Sequence, residues 1–187
     1  MVNVAFICED DAGKRIIESQ KFSELLISLN LKLVLPVHNA KGKGNLIEEN
    51  VSGLVNIAIE NSAITVFLLV DMDADKCITL TKQSLIQHPQ CNIIVCKKAV
   101  EAWFLADSET LSALLKRNAF FENPEEPLLP YESLNDLHKD AFEGRGINKT
   151  LLPKKLIKEG FSIINASKHP NCKSAYYFLK KLQSIAQ

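Results

Sequence analysis

Regular alternation of strand-like and helix-like segments dominates the first 98 residues of the chain. Mostly apolar runs of strand length occupy positions 2–8, 31–37, 64–70 and 92–96, and the run at 64–70 is continuous. Between them lie three segments that we interpret as helices, at 13–29, 46–60 and 75–87, and the first two carry apolar residues near helical spacing. Four strands joined by helices predict an α/β fold in which a mostly parallel four-stranded sheet has helices on both faces.

The chain changes character beyond residue 98, where helical patterns and irregular segments replace the strands. We predict helices at 107–116, 134–142, 149–160 and 173–185. The stretch 122–133 contains three prolines and is predicted to be an extended surface connection. We therefore divide the chain into an α/β core at 1–98 and a helical C-terminal extension at 99–187 that packs on this core within a single structural domain.

Length and composition agree with a single domain, since 187 residues with 47% apolar content suffice for one ordinary core.

The N-terminal segment MVNVAFICED lacks the basic region and long apolar stretch of a signal peptide. No stretch approaches the roughly 20 apolar residues of a membrane span. We expect a cytoplasmic protein that makes no membrane contact. Its five scattered cysteines fit neither a disulfide framework nor a zinc site, and we expect buried free thiols.

The net charge of zero hides an asymmetry along the chain. Residues 1–148 contain 14 Lys and Arg against 21 Asp and Glu, whereas residues 149–187 contain eight Lys against the single Glu159. A polyanion-binding surface beside metal-binding carboxylates produces this distribution. A solvated helix surface produces it as well, so the charges alone leave both interpretations open.

Acidic residues stand where the predicted strands end, and ligands of open parallel α/β sheets bind beyond the carboxyl ends of the strands. The acidic residues that follow the first and third strands are Glu9, Asp10, Asp11, Asp71, Asp73 and Asp75. Hard oxygen ligands in this number favour Mg²⁺ or Mn²⁺ over zinc. The alternative for the DMDAD segment is a solvated acidic turn in which Asp75 caps the next helix.

The order of strand, Glu, helix, strand, helix, strand, Asp-x-Asp, helix and strand resembles the Toprim domain of topoisomerases, bacterial primases and the overcoming-lysogenization-defect nucleases. The resemblance implies that Glu9, Asp71 and Asp73 bind a divalent metal, and it extends this role to Asp75. Toprim-like nucleases usually place a glycine directly after the glutamate, whereas this chain reads Glu9-Asp10-Asp11-Ala12-Gly13. Which carboxylate of this turn binds metal is therefore open.

Three further segments resemble a family of uncharacterised bacterial Toprim-like proteins. They are KKAVEAWFLAD at 97–107, INKT at 147–150 and CKSAYYFLKKL at 172–182. Within the first segment, Glu101 lies just past the fourth strand and is a candidate ligand, or a partner that orients a lysine. The same segment contains Trp103, which we predict to anchor the core, and Asp107, which we predict to cap a helix.

We therefore predict a catalytic group consisting of Glu9, Asp71, Asp73 and Glu101. Lysines near this site, or within the basic C-terminal segment, are candidates for contact with nucleic-acid phosphates. They are Lys97, Lys149, Lys154 and Lys155.

These residues together predict a divalent-metal-dependent phosphodiester hydrolase that acts on nucleic acid. The chain has no Walker motif, and the resemblance implies a separately encoded ATPase of the ABC or SMC type as a partner in phage defence. Two alternatives stay open. One is a non-catalytic or partner-dependent Toprim-like subunit, and the other is an Asp-x-Asp phosphohydrolase of small phosphorylated substrates.

Overall fold

The computed structural model describes residues 1–85 and 87–186, and it has an α/β architecture. The strands are β1 (Val2–Cys8), β2 (Leu31–Leu33), β3 (His38–Asn39), β4 (Thr65–Asp71) and β5 (Cys91–Cys96). The helices within the first 98 residues are α1 (Asp11–Ile17), α2 (Gln20–Ser28), α3 (Glu48–Glu60) and α4 (Ile78–Gln83). A short 3-10 turn, Lys43–Asn45, precedes α3. The helices of the C-terminal part are α5 (Glu101–Ala106), α6 (Ser108–Leu115), α7 (Pro130–Ala141), α8 (Leu152–Lys158), α9 (Ile163–Lys168) and α10 (Lys173–Ile185).

The sheet has the strand order β2-β1-β4-β5, and β3 pairs with β1 beyond the end of β2. Each of these pairings is parallel. The predicted fold class, a mostly parallel sheet followed by a mainly helical C-terminal part, is confirmed. Because the strands run parallel, β1, β4 and β5 all end at the same edge of the sheet, where Cys8 pairs with Leu69 and Asp71 pairs with Cys96.

The second predicted strand, at 31–37, is shorter than expected: only β2 lies within it, and β3 begins just after it. The sequence between them contains Pro36, which has no N–H to donate to a strand ladder. The strand therefore stops pairing with β1 at Leu33 and resumes at His38.

The first predicted helix, at 13–29, is divided into α1 and α2. Ser19 separates α1 from α2, because its Oγ accepts a hydrogen bond from the Phe22 N–H and donates one to the Ile16 carbonyl. A serine that bonds its own backbone in this manner favours a new helix N-terminus over continuation of the old helix.

Alternate residues of the strands face two separate hydrophobic clusters, as expected for a sheet covered on both sides. On one face, Phe6 and Phe67 stack with ring centroids 5.1 Å apart and pack with helices of the C-terminal part. On the other face, Ile7 and Leu68 pack with the buried side of α3. The first cluster thus joins the sheet and the C-terminal helices in one core.

Trp103 is fully buried in that first cluster, which confirms its predicted role as a core anchor. Its ring stacks on Phe178 of α10 with centroids 5.5 Å apart. Its Nε1–H donates to the Ser174 hydroxyl at 2.7 Å, so the polar end of the indole is also satisfied. Trp103 therefore fixes α10 against α5.

Asp107 caps α6 as predicted, with Oδ1 accepting from the Thr110 N–H at 3.1 Å. Its Oδ2 also accepts from the Ser162 N–H, which ties α6 to the start of α9. None of the helices in the described part of the chain is both long and apolar enough to cross a membrane.

Candidate functional site

The carboxyl edge of the sheet carries a sequence of hydrogen bonds from carboxylate to backbone. Glu9 follows β1, and its Oε2 accepts from the Asp71 N–H at 3.0 Å. Asp71 ends β4, and its Oδ1 accepts from the Val100 N–H at 2.9 Å. Val100 immediately precedes α5, whose first residue is Glu101. The ends of β1 and β4 and the start of α5 are thus held together by two carboxylates.

A cavity of about 380 Å³ opens in front of Asp71. The charged residues that line it are Asp10, Asp71, Asp73, Lys98, Glu101, Glu132 and Lys149. We call it the acidic cavity. Segment 128–132, from the end of the proline-containing connection and the start of α7, forms another part of its wall. A neighbouring cavity of about 230 Å³ shares Asp10, Glu101 and Lys149 with it.

Burial and mutual repulsion both act on these carboxyl groups. Burial raises the pKa of Asp71 well above its usual value, and the negative charges of Glu101, Asp10, Glu9 and Asp73 raise it further. Burial likewise raises the pKa of Glu101, which is only 4% exposed, although the positive charge of Lys149 opposes this shift. Burial also raises the pKa of Glu9, and the hydrogen bond from the Asp71 N–H opposes that shift. A cation in this cavity would relieve the repulsion.

Asp10 enters the cavity from the turn after β1, the turn that departs from the usual Toprim pattern. Its Oδ1 accepts from the Gly13 N–H at 2.9 Å, so Asp10 caps α1. A Cβ at position 13 would lie 3.2 Å from Leu69 Cδ2, which shows how closely α1 approaches β4. Asp11, in contrast, forms an exposed ion pair with Arg15 at 2.8 Å. Asp10 is therefore the carboxylate of this pair that faces Asp71.

The backbone after Asp71 turns sharply. Asp73 and Lys98 both have left-handed backbone angles, with φ of 53° and 70°. The Asp73 N–H donates to the Lys98 carbonyl at 2.7 Å, so the segments that follow β4 and β5 are bonded to each other. Left-handed backbone angles are unfavourable for residues other than glycine, and such residues often lie at functional sites. The turn places Asp73 and Lys98 at the mouth of the acidic cavity.

Lys43 is a residue of this edge that the sequence analysis missed. Its Nζ lies 2.9 Å from Asp75 Oδ2 and 3.6 Å from Asp73 Oδ2, and it donates to the carbonyls of Asp71 and Met72 at 3.3 Å. The loop that contains Lys43 follows β3 and thus lies at the carboxyl edge of the sheet. That position was the available signal, because any polar residue after a parallel strand is a candidate for such a site.

Asp75 is not a helix cap, contrary to the alternative considered for DMDAD. The helix α4 begins at Ile78, and Cys77 occupies the N-cap position without a side-chain hydrogen bond. Asp75 Oδ2 instead accepts from Lys43 and from the Thr81 hydroxyl at 2.8 Å, and these bonds lower its pKa. In the described part of the chain, neither Asp75 nor Glu9 lines the acidic cavity.

The four lysines predicted to contact nucleic acid lie in different surroundings. Lys149 lines the acidic cavity. Lys97 lies in the β5–α5 connection and does not line the acidic cavity; its Nζ is 3.9 Å from Glu125 Oε2. Lys154 and Lys155 are exposed on α8. The structure thus brings Lys149 to the carboxylates, together with Lys98, the neighbour of Lys97.

The carboxylates of this edge have the donor atoms that a hard cation needs, but their present spacing does not form a complete metal site. Within residues 1–85 and 87–186, no three His, Cys, Asp or Glu side chains are grouped closely enough to hold a metal ion as they stand. Asp71 and Glu9 each use one oxygen to accept a backbone hydrogen bond. The donor atoms that face the cavity are carboxylate oxygens, which is the chemistry that Mg²⁺ and Mn²⁺ prefer.

Fold and site together define the class of the molecule: an α/β protein with a carboxylate-lined cavity at the carboxyl edge of a parallel sheet. Comparison of the chain with protein-family models, with curated proteins and with solved structures found no match.

Proposed function

We propose that this protein is a divalent-metal-dependent phosphodiester hydrolase that cleaves nucleic acid. One observation carries the proposal: Asp71 and Glu101, both with raised pKa values, share a cavity with Asp10, Asp73 and two lysines. Buried carboxyl groups that repel one another are unfavourable for folding alone, and their presence in a cleft favours a functional role.

Asp71, Asp73 and Glu101 would hold Mg²⁺ or Mn²⁺, and Asp10 is a candidate for a further ligand because it lines the same cavity. A bound divalent ion supplies neutralisation of phosphate charge and an activated water molecule. Glu9 has a positioning role in this proposal, since its Oε2 accepts the Asp71 N–H and so fixes the end of β4. The Toprim resemblance, by contrast, implies Glu9 itself as a ligand.

Lys98 and Lys149 line the cavity beside these carboxylates, where they would bind the non-bridging oxygens of the phosphodiester. The exposed Lys154 and Lys155 lie on α8, outside the cavity, and would contact neighbouring phosphates of the strand. Phosphate contacts carry no base information, so we expect weak sequence preference.

A partner-dependent subunit is the second candidate, and the contacts of Lys43 favour it. The Lys43 ammonium group already provides positive charge to Asp73 and Asp75. A partner that displaces Lys43 would free both carboxylates for metal. The separately encoded ATPase that the Toprim resemblance implies is our candidate for this partner.

The test is cleavage of plasmid, linear duplex and single-stranded nucleic acid by the purified protein with Mg²⁺ or Mn²⁺, beside an EDTA control. We expect metal-dependent cleavage that falls at least about 10-fold in Asp71→Asn, since loss of even a group that orients a metal ligand typically costs about 10–100-fold. Asn retains an oxygen that accepts the Val100 N–H, so this variant should fold.

The matched control is Asp140→Asn, which changes an exposed carboxylate on α7 and should cleave at the wild-type rate. Absence of cleavage by folded protein that binds the metal contradicts the nuclease proposal and favours the partner-dependent subunit. Metal-dependent hydrolysis of p-nitrophenyl phosphate without cleavage of nucleic acid favours the phosphohydrolase of small substrates.

A further inference from the structure

A second cavity, of about 590 Å³, adjoins the acidic cavity at Lys98, which lines both. Its walls come from the β4–α4 connection, from α4, from the end of β5 and from the start of α10. Its volume lies within the range of about 300–1,000 Å³ that is typical of small-molecule sites. We call it the lysine pocket.

Five lysines from three separate parts of the chain line this pocket. They are Lys76, Lys82, Lys97, Lys98 and Lys173. Among the described residues that line it, Glu125 is the acidic one. Positive charge grouped around a concave site favours the binding of anions, and lysine ammonium groups bind phosphate oxygens well.

Glu125 lines the lysine pocket and is held in place by a hydrogen bond. It is 3% exposed, and its Oε1 accepts the Ser174 N–H at 2.7 Å. Ser174 is held in turn by the hydrogen bond from Trp103. Oε2 of Glu125 lies 3.9 Å from Lys97 Nζ, which is beyond hydrogen-bond distance. A rigidly held carboxylate oxygen at the edge of a cationic pocket is suited to accept a hydroxyl group from a ligand.

Apolar side chains complete the wall. Met72 and Val95 are buried at 3% and 2% exposure and line the pocket together with Ile78. Tyr177 lines it too, and the Lys82 ammonium lies 4.5 Å from the centroid of its ring. The pocket therefore offers cations for phosphate groups, one hydrogen-bond acceptor for a ribose hydroxyl and an apolar surface for a base.

We infer that the lysine pocket binds a ribonucleoside diphosphate or triphosphate as a free small molecule. The lysines bind its phosphates, Glu125 accepts a hydrogen bond from a ribose hydroxyl, and the base lies on the apolar wall. The site stands independently of the proposed nuclease activity, since the carboxylates of the acidic cavity do not line it. Lys98 lines both cavities, so occupation of one is expected to alter the charge felt in the other.

Isothermal titration of the full chain with ADP, in EDTA, tests this inference without loading the candidate metal site. We expect saturable binding of one ADP per chain, with inorganic pyrophosphate bound at least ten-fold more weakly because it lacks the nucleoside. The double substitution Lys82→Gln and Lys173→Gln should weaken ADP binding at least ten-fold, because charge-assisted contacts are lost. The matched control, Lys180→Gln with Lys181→Gln, removes two lysines of α10 that do not line the pocket and should leave binding unchanged.

Alkylation of Cys77 gives a second readout. Cys77 is exposed and lines the pocket, whereas Cys8, Cys96 and Cys172 are buried. Bound ADP should slow its reaction with iodoacetamide at least five-fold, as followed by peptide mass spectrometry, and should do so equally in Asp71→Asn. Failure of ADP to bind, or binding that survives the Lys82 and Lys173 substitutions, overturns the inference. Binding of a single-stranded oligonucleotide but not of ADP also overturns it, because a strand is then the ligand.

Discussion

The acidic cavity and the lysine pocket share Lys98 in the short connection between β5 and α5, yet their predominant charges are opposite. Asp10, Asp71, Asp73 and Glu101 gather in one, and five lysines gather in the other. Charges of opposite sign are thus locally separated in a chain whose net charge is zero. Two hydrogen bonds hold this connection, one from the Asp73 N–H to the Lys98 carbonyl and one from the Val100 N–H to Asp71 Oδ1.

The largest expected effect comes from Trp103, because it supports both regions. Its helix begins with Glu101 of the acidic cavity, and its indole N–H bonds Ser174 of the lysine pocket. We expect Trp103→Ala to lower the free energy of unfolding by about 3–5 kcal/mol, the usual cost of emptying a large buried aromatic site. Denaturant titration followed by circular dichroism measures it.

Trp103→Phe is the control for packing, since it keeps an aromatic ring against Phe178 and removes the hydrogen bond to Ser174. A loss of about 1–3 kcal/mol is expected from the unpaired buried hydroxyl. If Trp103→Ala is no less stable than Trp103→Phe, the ring does not anchor α10 as described.

Asp71 should give the acidic cavity a pH dependence that the lysine pocket lacks. Below the usual carboxyl pKa of 3.8, Asp71 is protonated in both the folded and the unfolded chain. As pH rises, the unfolded chain releases this proton first because the folded pKa is raised, so this group makes folding less favourable with rising pH. In EDTA, the stability of Asp71→Asn relative to wild type should therefore increase from pH 4 to pH 7.

Urea titrations of both proteins at four pH values measure that difference. Saturating Mg²⁺ should reduce it at pH 7, because the ion stabilises only the wild-type carboxylate. A stability difference that does not change with pH would show that burial does not raise the pKa of Asp71.

A moderate effect is expected where positive charge lies outside both cavities. Replacing Lys154 and Lys155 by Gln should weaken nucleic-acid binding equally across sequences and reduce the slope of log affinity against log salt by about 2, or about 1 for each lysine. Fluorescence anisotropy at several salt concentrations checks this. An unchanged slope would limit the contact surface to the acidic cavity.

The smallest effect is expected from Lys43, whose partners Asp73 and Asp75 are partly exposed. Lys43→Met should change the thermal midpoint of unfolding little in EDTA. It should enlarge the rise in that midpoint on addition of Mg²⁺, because two carboxylates lose their ammonium partner and are free to bind the ion. Differential scanning fluorimetry with and without Mg²⁺ compares the two proteins. A smaller Mg²⁺ response in the variant would mean that Lys43 shapes the site and does not compete with a cation for it.

The sequence was informative where local patterns coincide with tertiary environment. The apolar runs before Glu9 and Asp71 are strands because both faces of the sheet are covered, so the ends of those strands were predictable. Lys43 lay in a glycine-containing segment that predicts a mobile loop, and its contacts come from residues about 30 positions away. Contacts between distant segments leave no local pattern in the sequence.

Glu125 was missed for a related reason. It lies in the segment 122–133, predicted from its prolines to be a surface connection, yet its side chain is buried beneath α10 and bonded to Ser174. Cys77 differs in the opposite direction, since buried thiols were expected and this one is exposed. Proline and cysteine content indicates local conformation and average burial, whereas the position of one side chain depends on the helix that packs over it.

The two carboxylate-to-amide hydrogen bonds at the sheet edge make the Val100 amide a natural reporter of the acidic cavity. Glu9 holds the Asp71 amide, and Asp71 holds the Val100 amide. Any ligand that draws the Asp71 carboxylate toward itself must weaken the second bond, and the first turn of α5 then frays. Hydrogen exchange at the Val100 amide would thus register occupation of the acidic cavity.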